Sequence, residues 1–318
     1  MIAQKLPSDV DNKVQSFHSF VINERKKVEF DLSQIGNMDE TPMFFDMPGN
    51  RTVDVKGATT VSVKTMGGEK SHFTVILSCM ADGTKLRPAV VFKRKTMPKE
   101  KIPSDLLVMV QPKGWVDEPI LMEWLEKVWF RRPGALLNPN SLLVWDMFRV
   151  HLLDSVKRRL RERKTRQAVI PGGTTSLLQP LDVCLNKPFK SNMRNLWNDW
   201  MVNGEKTLTK AGNLRRPDIT TVCSWVIEAW NMIPASMVLK SFLKCGISNN
   251  MDGTEDDELY SDYVRSDNTT TTSEITVEDE IDVDTGIYDD RLTEDQFHEM
   301  FGHSDDEDEF EGFDECDM

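Results

Sequence analysis

Ser141-Leu-Leu-Val-Trp-Asp146 is an apolar run of strand length that ends on a carboxylate, and it restricts the fold more than any other stretch. Asn138-Pro139-Asn140 bounds it upstream, so the run reads as a core strand buried on both faces. Such strands belong to α/β sheets covered by helices, and chemistry in those sheets gathers at the carboxyl edge, where Asp146 projects. Downstream, the pattern predicts a helix over Val150 to Arg166, a short strand over Gln167-Ala-Val-Ile170, and a turn into another helix over Thr174-Thr-Ser-Leu-Leu-Gln-Pro180-Leu-Asp182. Two acids, Asp146 and Asp182, therefore stand at a strand end and a helix start with 35 residues between them. A third, Asp39, lies in the short apolar segment Ile35-Gly-Asn-Met-Asp39-Glu40-Thr41-Pro42 and reads as strand-borne.

The rest of the chain supplies the elements such a sheet needs. Leu6-Pro-Ser-Asp9 opens a helix whose Val14, Phe17, Phe20 and Val21 share one face. β-branched runs at Ala58–Lys64, Phe73–Ser78 and Ala89–Lys93 alternate with Gly67-Gly68 and Asp82-Gly83, the pattern of antiparallel strands joined by hairpins. Asp117-Glu-Pro119 begins a helix with Leu121, Trp124, Leu125, Val128 and Trp129 on a packing face. From Phe189 to Ile247 the pattern is helical, with Trp197, Trp200, Trp225, Trp230 and Phe242 recurring among Val and Ile as core residues. The expected organisation is an N-terminal helix over 1–30, an α/β domain with a helical C-terminal extension over 31–250, and a tail over 251–318.

Charge divides the chain at the same place. Residues 251–318 hold 27 acids and 2 bases, which leaves 25 acids and 37 bases in 1–250: a body of +12 carries a tail of −25. Low hydrophobicity with high net charge cannot offset the entropy of ordering, so the tail is expected to be disordered. Leu292, Phe297, Met300, Phe301, Phe310 and Phe313 punctuate it, a composition that suits a protein partner as well as it suits a solubilising tail. The five cysteines are widely spaced without a Cys-x-x-Cys pair, which argues for reduced thiols and against zinc. No apolar run approaches 18 residues, so no membrane span is expected.

Four stretches together resemble the pogo/Tigger branch of the mariner-type DDE/D transposases. They are Asn37-Met-Asp-Glu-Thr-Pro42, Thr74-Val-Ile-Leu-Ser-Cys-Met-Ala-Asp-Gly83, Trp145-Asp146 with His151-Leu152, and Ser176-Leu-Leu-Gln-Pro-Leu-Asp182, within a resemblance that runs from about Leu6 to Asn249. The resemblance implies a ribonuclease-H-like mixed sheet flanked by helices, duplex DNA as partner, the nucleus as location, and Asp39, Asp146 and Asp182 as the three carboxylates of a Mg²⁺ (or Mn²⁺) phosphodiester-cleaving site. Relatives of this type carry helix-turn-helix modules upstream, so sequence-specific targeting is expected to be absent or to be supplied by a further segment or a partner. Asp146 is followed by Met147-Phe148-Arg149, bulkier than the small polar residues common at that place in the family.

The chemistry is consistent with the residue types. Cutting a phosphodiester requires the attacking and leaving oxygens to be stabilised together, which two Mg²⁺ ions held by shared carboxylates accomplish, and Mg²⁺ selects hard oxygen ligands. His151 is an accessory candidate, while Glu40 points to the opposite face of Asp39's strand and is the weaker one. Lys157, Arg158, Arg161, Arg163 and Lys164 form a basic row that suits DNA phosphates as well as it suits a solvated helix face. Two functions stay open on these grounds: a DNA endonuclease, or a non-catalytic nuclear scaffold that keeps the fold and works through DNA binding and its acidic tail.

Overall fold

The computed structural model describes residues 7–47, 72–205, 207–208 and 214–250. The strand expected over 58–64 and the disordered tail over 251–318 lie outside these residues. Six strands form one mixed sheet in the order β4-β3-β2-β1-β5-β6: β1 Ile35–Phe44, β2 His72–Met80, β3 Ala89–Lys93, β4 Leu107–Gln111, β5 Ser141–Trp145 and β6 Thr165–Val169. β1–β2 and β2–β3 are antiparallel; β1–β5, β5–β6 and β3–β4 are parallel.

Both faces of this sheet are covered, which explains why its strands are apolar without a polar side. Along β5, Leu142 and Val144 enter the core beneath α1 (Val10–Lys27), α5 (Asn186–Asn203), α6 (Ile219–Asn231) and α7 (Ala235–Lys244). Leu143 and Trp145 enter the opposite core, beneath α2 (Glu118–Lys127) and α3 (Asp154–Glu162). β2 alternates in the same way, with Phe73, Val75, Leu77 and Cys79 on the first side and Ile76 and Met80 on the second. α2 begins as its sequence requires: Asp117 accepts from the Ile120 amide, Pro119 sits in the first turn, and Leu121, Trp124, Leu125, Val128 and Trp129 are buried. α1 buries Val14, Phe17 and Val21, and the tryptophans of α5 and α6 pack in the core, Trp200 against Trp225 at 6.0 Å between ring centroids. No single described helix is long and apolar enough to cross a membrane.

Two expectations are corrected. The helix predicted over Val150–Arg166 is divided into a 3-10 turn at Arg149–Leu152, α3, and strand β6. Lys164 adopts φ +53°, which ends the helix, and the hydroxyl of Thr165 is held by Trp129 Nε1 at 3.1 Å and Ser141 Oγ at 3.0 Å, so the chain is drawn into the sheet two residues earlier than its periodicity implies. β4 is an additional edge strand, paired from Ala89↔Leu107 to Lys93↔Gln111.

Candidate active site

The ladder between β1 and β5 runs only from Ile35↔Leu142 to Asn37↔Val144. β1 continues to Phe44 with β2 alone, so past Asn37 the sheet opens on its β5 side. Continuing the register two residues sets Asp39 beside Asp146, on the face that Asn37 and Val144 share. Asn37 fastens this opening: its Nδ2 donates to the Val144 carbonyl at 2.9 Å and its Oδ1 accepts from the Leu181 amide at 3.1 Å. Each such buried bond contributes about 1 kcal/mol. The second bond brings in the connection after β6, in which the short helix α4 (Thr175–Leu178) leads through Pro180 into a π-helical turn over Leu181–Leu185. Asp182 stands in that turn, and Asn186 opens α5 four residues later.

Asp39, Asp146 and Asp182 are thereby brought to one place. Asp39 is buried, with Oδ1 accepting from Gln179 Nε2 at 2.8 Å and Oδ2 from Asn186 Nδ2 at 2.6 Å. The same Asn186 nitrogen donates to Asp182 Oδ1 at 3.0 Å, so one amide spans two of the three carboxylates. Burial pushes the Asp39 carboxyl well above its usual range, and the charges of Asp182, Asp146 and Glu40 push it further, against the hydrogen bond from Asn186. Asp182 reaches solvent, yet its dense surroundings raise its carboxyl above the usual range. Hydrogen bonds from Asn186 and Asp39 oppose that rise, and the Asp146 charge adds to it.

Asp146 is held differently. Its Oδ1 lies 2.9 Å from His151 Nδ1 and accepts from the Phe148 amide at 3.0 Å. Burial would raise this carboxyl, but His151 and the Phe148 amide hold it below the usual range. His151 is fully buried, stacked on Trp145 at 4.3 Å with the ring planes 1° apart, and its Nε2 lies 3.1 Å from Glu40 Oε1. Burial disfavours the imidazolium, yet Glu40 and Asp146 together push its pKa up to about 10, so both ring nitrogens donate. Glu40 does leave Asp39's face, as alternation requires, and joins the cluster through His151.

Three contributors were not foreseen: Asn37, Gln179 and Asn186. An amide carries no charge to mark it, and the only signal was spacing, four residues from Asp182 to Asn186 on a helix. The basic row is also less exposed to one purpose than its sequence suggests. Arg158, Arg161, Arg163 and Lys164 are exposed and Lys157 half-buried, but Arg163 pairs with Glu126 of α2 at 3.3 Å and lies over Phe130, as the neighbouring Arg159 does. The Lys164 carbonyl accepts from the Ser141 amide at the start of β5. The last turn of α3 therefore lies one strand length, roughly 16 Å, from the Asp146 end.

The donor set suits Mg²⁺ or Mn²⁺. Three carboxylates are hard oxygen ligands that repel one another when ionised, and the buried Oε1 of Gln179 and Oδ1 of Asn186 have no hydrogen-bond partner. Among the described residues, no three His, Cys, Asp or Glu side chains stand as a preformed ligand cage; amide hydrogens engage both oxygens of Asp39 and one of Asp182.

A family model described as DDE superfamily endonuclease matches residues 70–242. "Pogo transposable element with KRAB domain" of Homo sapiens is 37% identical over 259 residues, which is 81% of this chain and 42% of that protein. Its Mus musculus counterpart is 35% identical over 251 residues, 79% of this chain and 41% of that protein. The chain thus spans less than half the length of these curated relatives. Among solved structures, "Mos1 transposase paired-end complex with left transposon end" shares the fold at a TM-score of 0.50 and 14% identity, covering 80% of this chain and 62% of that one. The chain belongs to the DDE superfamily endonucleases, as a transposase-derived domain of the pogo type with a ribonuclease-H-like sheet.

Proposed function

We propose that this chain is a nuclear DNA-binding protein that cleaves phosphodiester bonds with divalent cations held by Asp39, Asp146 and Asp182. The observation that carries the reading is the sharing of Asn186 between Asp39 and Asp182 within reach of the Asp146 charge. Mg²⁺ or Mn²⁺, when bound, supplies stabilisation of charge on the attacking and leaving oxygens. Asp146, kept ionised by His151, offers a ligand oxygen at neutral pH, and Glu40 keeps that imidazole in place. Lys157, Arg158, Arg161, Arg163 and Lys164 contact the DNA backbone, and the +12 body draws the duplex in. The test is nicking of supercoiled plasmid with Mg²⁺ or Mn²⁺. Metal-dependent nicking is expected from the full chain and a fall to background from Asp146→Asn; nicking equal in the two proteins, or none in either, ends the reading.

A second reading, a non-catalytic scaffold that binds DNA and recruits a protein partner through its acidic tail, is favoured by the amide hydrogens that already engage both oxygens of Asp39. It requires DNA binding that Asp146→Asn leaves unchanged, with no nicking in either form.

A further inference from the structure

We propose that the side-chain amides of Gln179 and Asn186 are the turnable part of the carboxylate cluster: their hydrogens clamp Asp39 and Asp182 together, and a half-turn of each presents its oxygen to a divalent cation as a neutral ligand beside the three carboxylates. The inference rests on the metal-binding reading above and extends it to two residues outside the three acids.

A primary amide carries two donor hydrogens on one side and an acceptor oxygen on the other. In this cluster both amide nitrogens donate to carboxylates, and neither amide oxygen accepts. Gln179 Nε2 donates to one Asp39 oxygen and Asn186 Nδ2 to the other and to Asp182, while Gln179 Oε1 and Asn186 Oδ1 are buried without a partner. Gln179 is 0% exposed and Asn186 8%, so neither oxygen has solvent as a substitute. Interiors pair nearly all such groups, and a clamp whose only purpose was to join carboxylates would have its oxygens satisfied by neighbouring donors.

Two stranded oxygens on one acidic cluster instead match the ligand preference of Mg²⁺ and Mn²⁺, which accept carboxamide oxygen alongside carboxylate. The nitrogen and oxygen of an amide occupy nearly equivalent positions, and the terminal torsion that exchanges them is soft. The exchange therefore needs no backbone movement. With the hydrogens inward, the amides hold like charges together; with the oxygens inward, they relieve a cation of part of its hydration. The wide turn at Leu181–Leu185 sets Asp182 and Asn186 on one side of the helix start, so both respond to the same ion.

The test is calorimetric titration of the full chain with MnCl₂, checked by the loss of the free Mn²⁺ electron paramagnetic resonance signal. Asn186→Leu and Gln179→Met, which keep size and remove the oxygen, are each expected to weaken Mn²⁺ binding about 10- to 100-fold. Asn186→Asp keeps an oxygen and removes the hydrogens, so it should bind Mn²⁺ at least as tightly as the unsubstituted chain. Should Asn186→Leu not fold by circular dichroism, Gln179→Met carries the measurement. Unchanged affinity in the oxygen-free variants overturns the inference. So does equal weakening in Asn186→Asp and Asn186→Leu, which would assign the effect to the lost hydrogens. A chain that does not bind Mn²⁺ at all instead ends the metal reading on which the inference rests.

Discussion

Two halves of one acidic cluster are neutralised by different chemistry. Asp146 and Glu40 share a buried imidazolium, a full positive charge built into the fold, whereas Asp39 and Asp182 share the dipole of the Asn186 amide, with Gln179 on Asp39 and the Lys190 charge acting on Asp182 from outside the pair. The consequence is visible in proton affinity. The His151 side pulls Asp146 below the usual carboxylate range, and the amide side leaves Asp39 well above it. One half is therefore complete as it stands, and the other has an unmet demand for positive charge. Cation binding at this cluster should be driven from the Asp39–Asp182 half, with Asp146 already ionised to receive it.

The largest effect is expected from removing the built-in charge. His151→Leu leaves two carboxylates facing each other across an apolar ring site and should cost about 3–5 kcal/mol, measured by urea unfolding at neutral pH. A loss below about 1 kcal/mol would mean the imidazolium does not hold the two acids together. The pH dependence carries a sign. His151 binds its proton more tightly folded than unfolded, so its contribution is complete below pH 6.5 and lost as the pH rises to about 10. Asp39 also has a raised folded value, so its contribution is complete below pH 3.8 and lost as the pH rises through that folded value. The upper falling limb should be removed by His151→Leu, and the lower, to which the raised Asp182 adds and which the lowered Asp146 opposes, should be reduced by Asp39→Asn. A profile in which one variant removes both limbs would erase the distinction between the halves.

Much of this was legible in the sequence and some could not have been. Ser141–Trp145 declared itself a doubly buried strand because every residue in it is apolar or small, and the placements of Asp39 on a strand, Asp146 at a strand end and Asp182 at a helix start could be read from their flanks. The end of α3 was not legible: Arg161 to Lys164 are good helix formers, and what stops them is the left-handed Lys164 together with a hydroxyl at Thr165 that only tertiary neighbours hold. Alternation placed Glu40 on the face away from Asp39 and so demoted it. It could not show that a buried ring from the segment after β5 would reach Glu40 and tie it to Asp146. Gln179 and Asn186 were invisible for a third reason, since neutral amides gain meaning only from what they face.

A smaller effect, about 1.5 kcal/mol, is expected from Glu40→Gln, which keeps an oxygen for His151 Nε2 but removes its charge. Asp146 still faces the ring, so the half-cluster is weakened without being opened. The imidazole should then release its proton at lower pH, which a ¹H–¹⁵N titration of His151 reads directly. A ring whose titration does not move in Glu40→Gln would leave Asp146 as its sole electrostatic partner and confine the built-in charge to a single pair.

The smallest effect, and the one that relates the cluster to DNA, concerns α3. Its first turn follows His151 closely, while its last turn reaches the start of β5, roughly 16 Å away along the strand. If a duplex lies across the His151 half, Lys157 and Arg158 contact phosphates nearest the cluster, and Arg161 and Lys164 contact the flank. Glu126 already engages Arg163, which should therefore matter less than its charge suggests. Each phosphate contact removed lowers the slope of log affinity against log salt by about 0.9. Alanine at both Lys157 and Arg158 should reduce the slope by about two such steps and also lower nicking. Alanine at both Arg161 and Lys164 should reduce the slope to a similar degree with less effect on nicking, because the strand at the cluster stays in place. Equal losses of nicking from the two pairs would mean that α3 adds affinity without orienting the duplex toward Asp146, and unchanged slopes in both would remove α3 from the DNA surface.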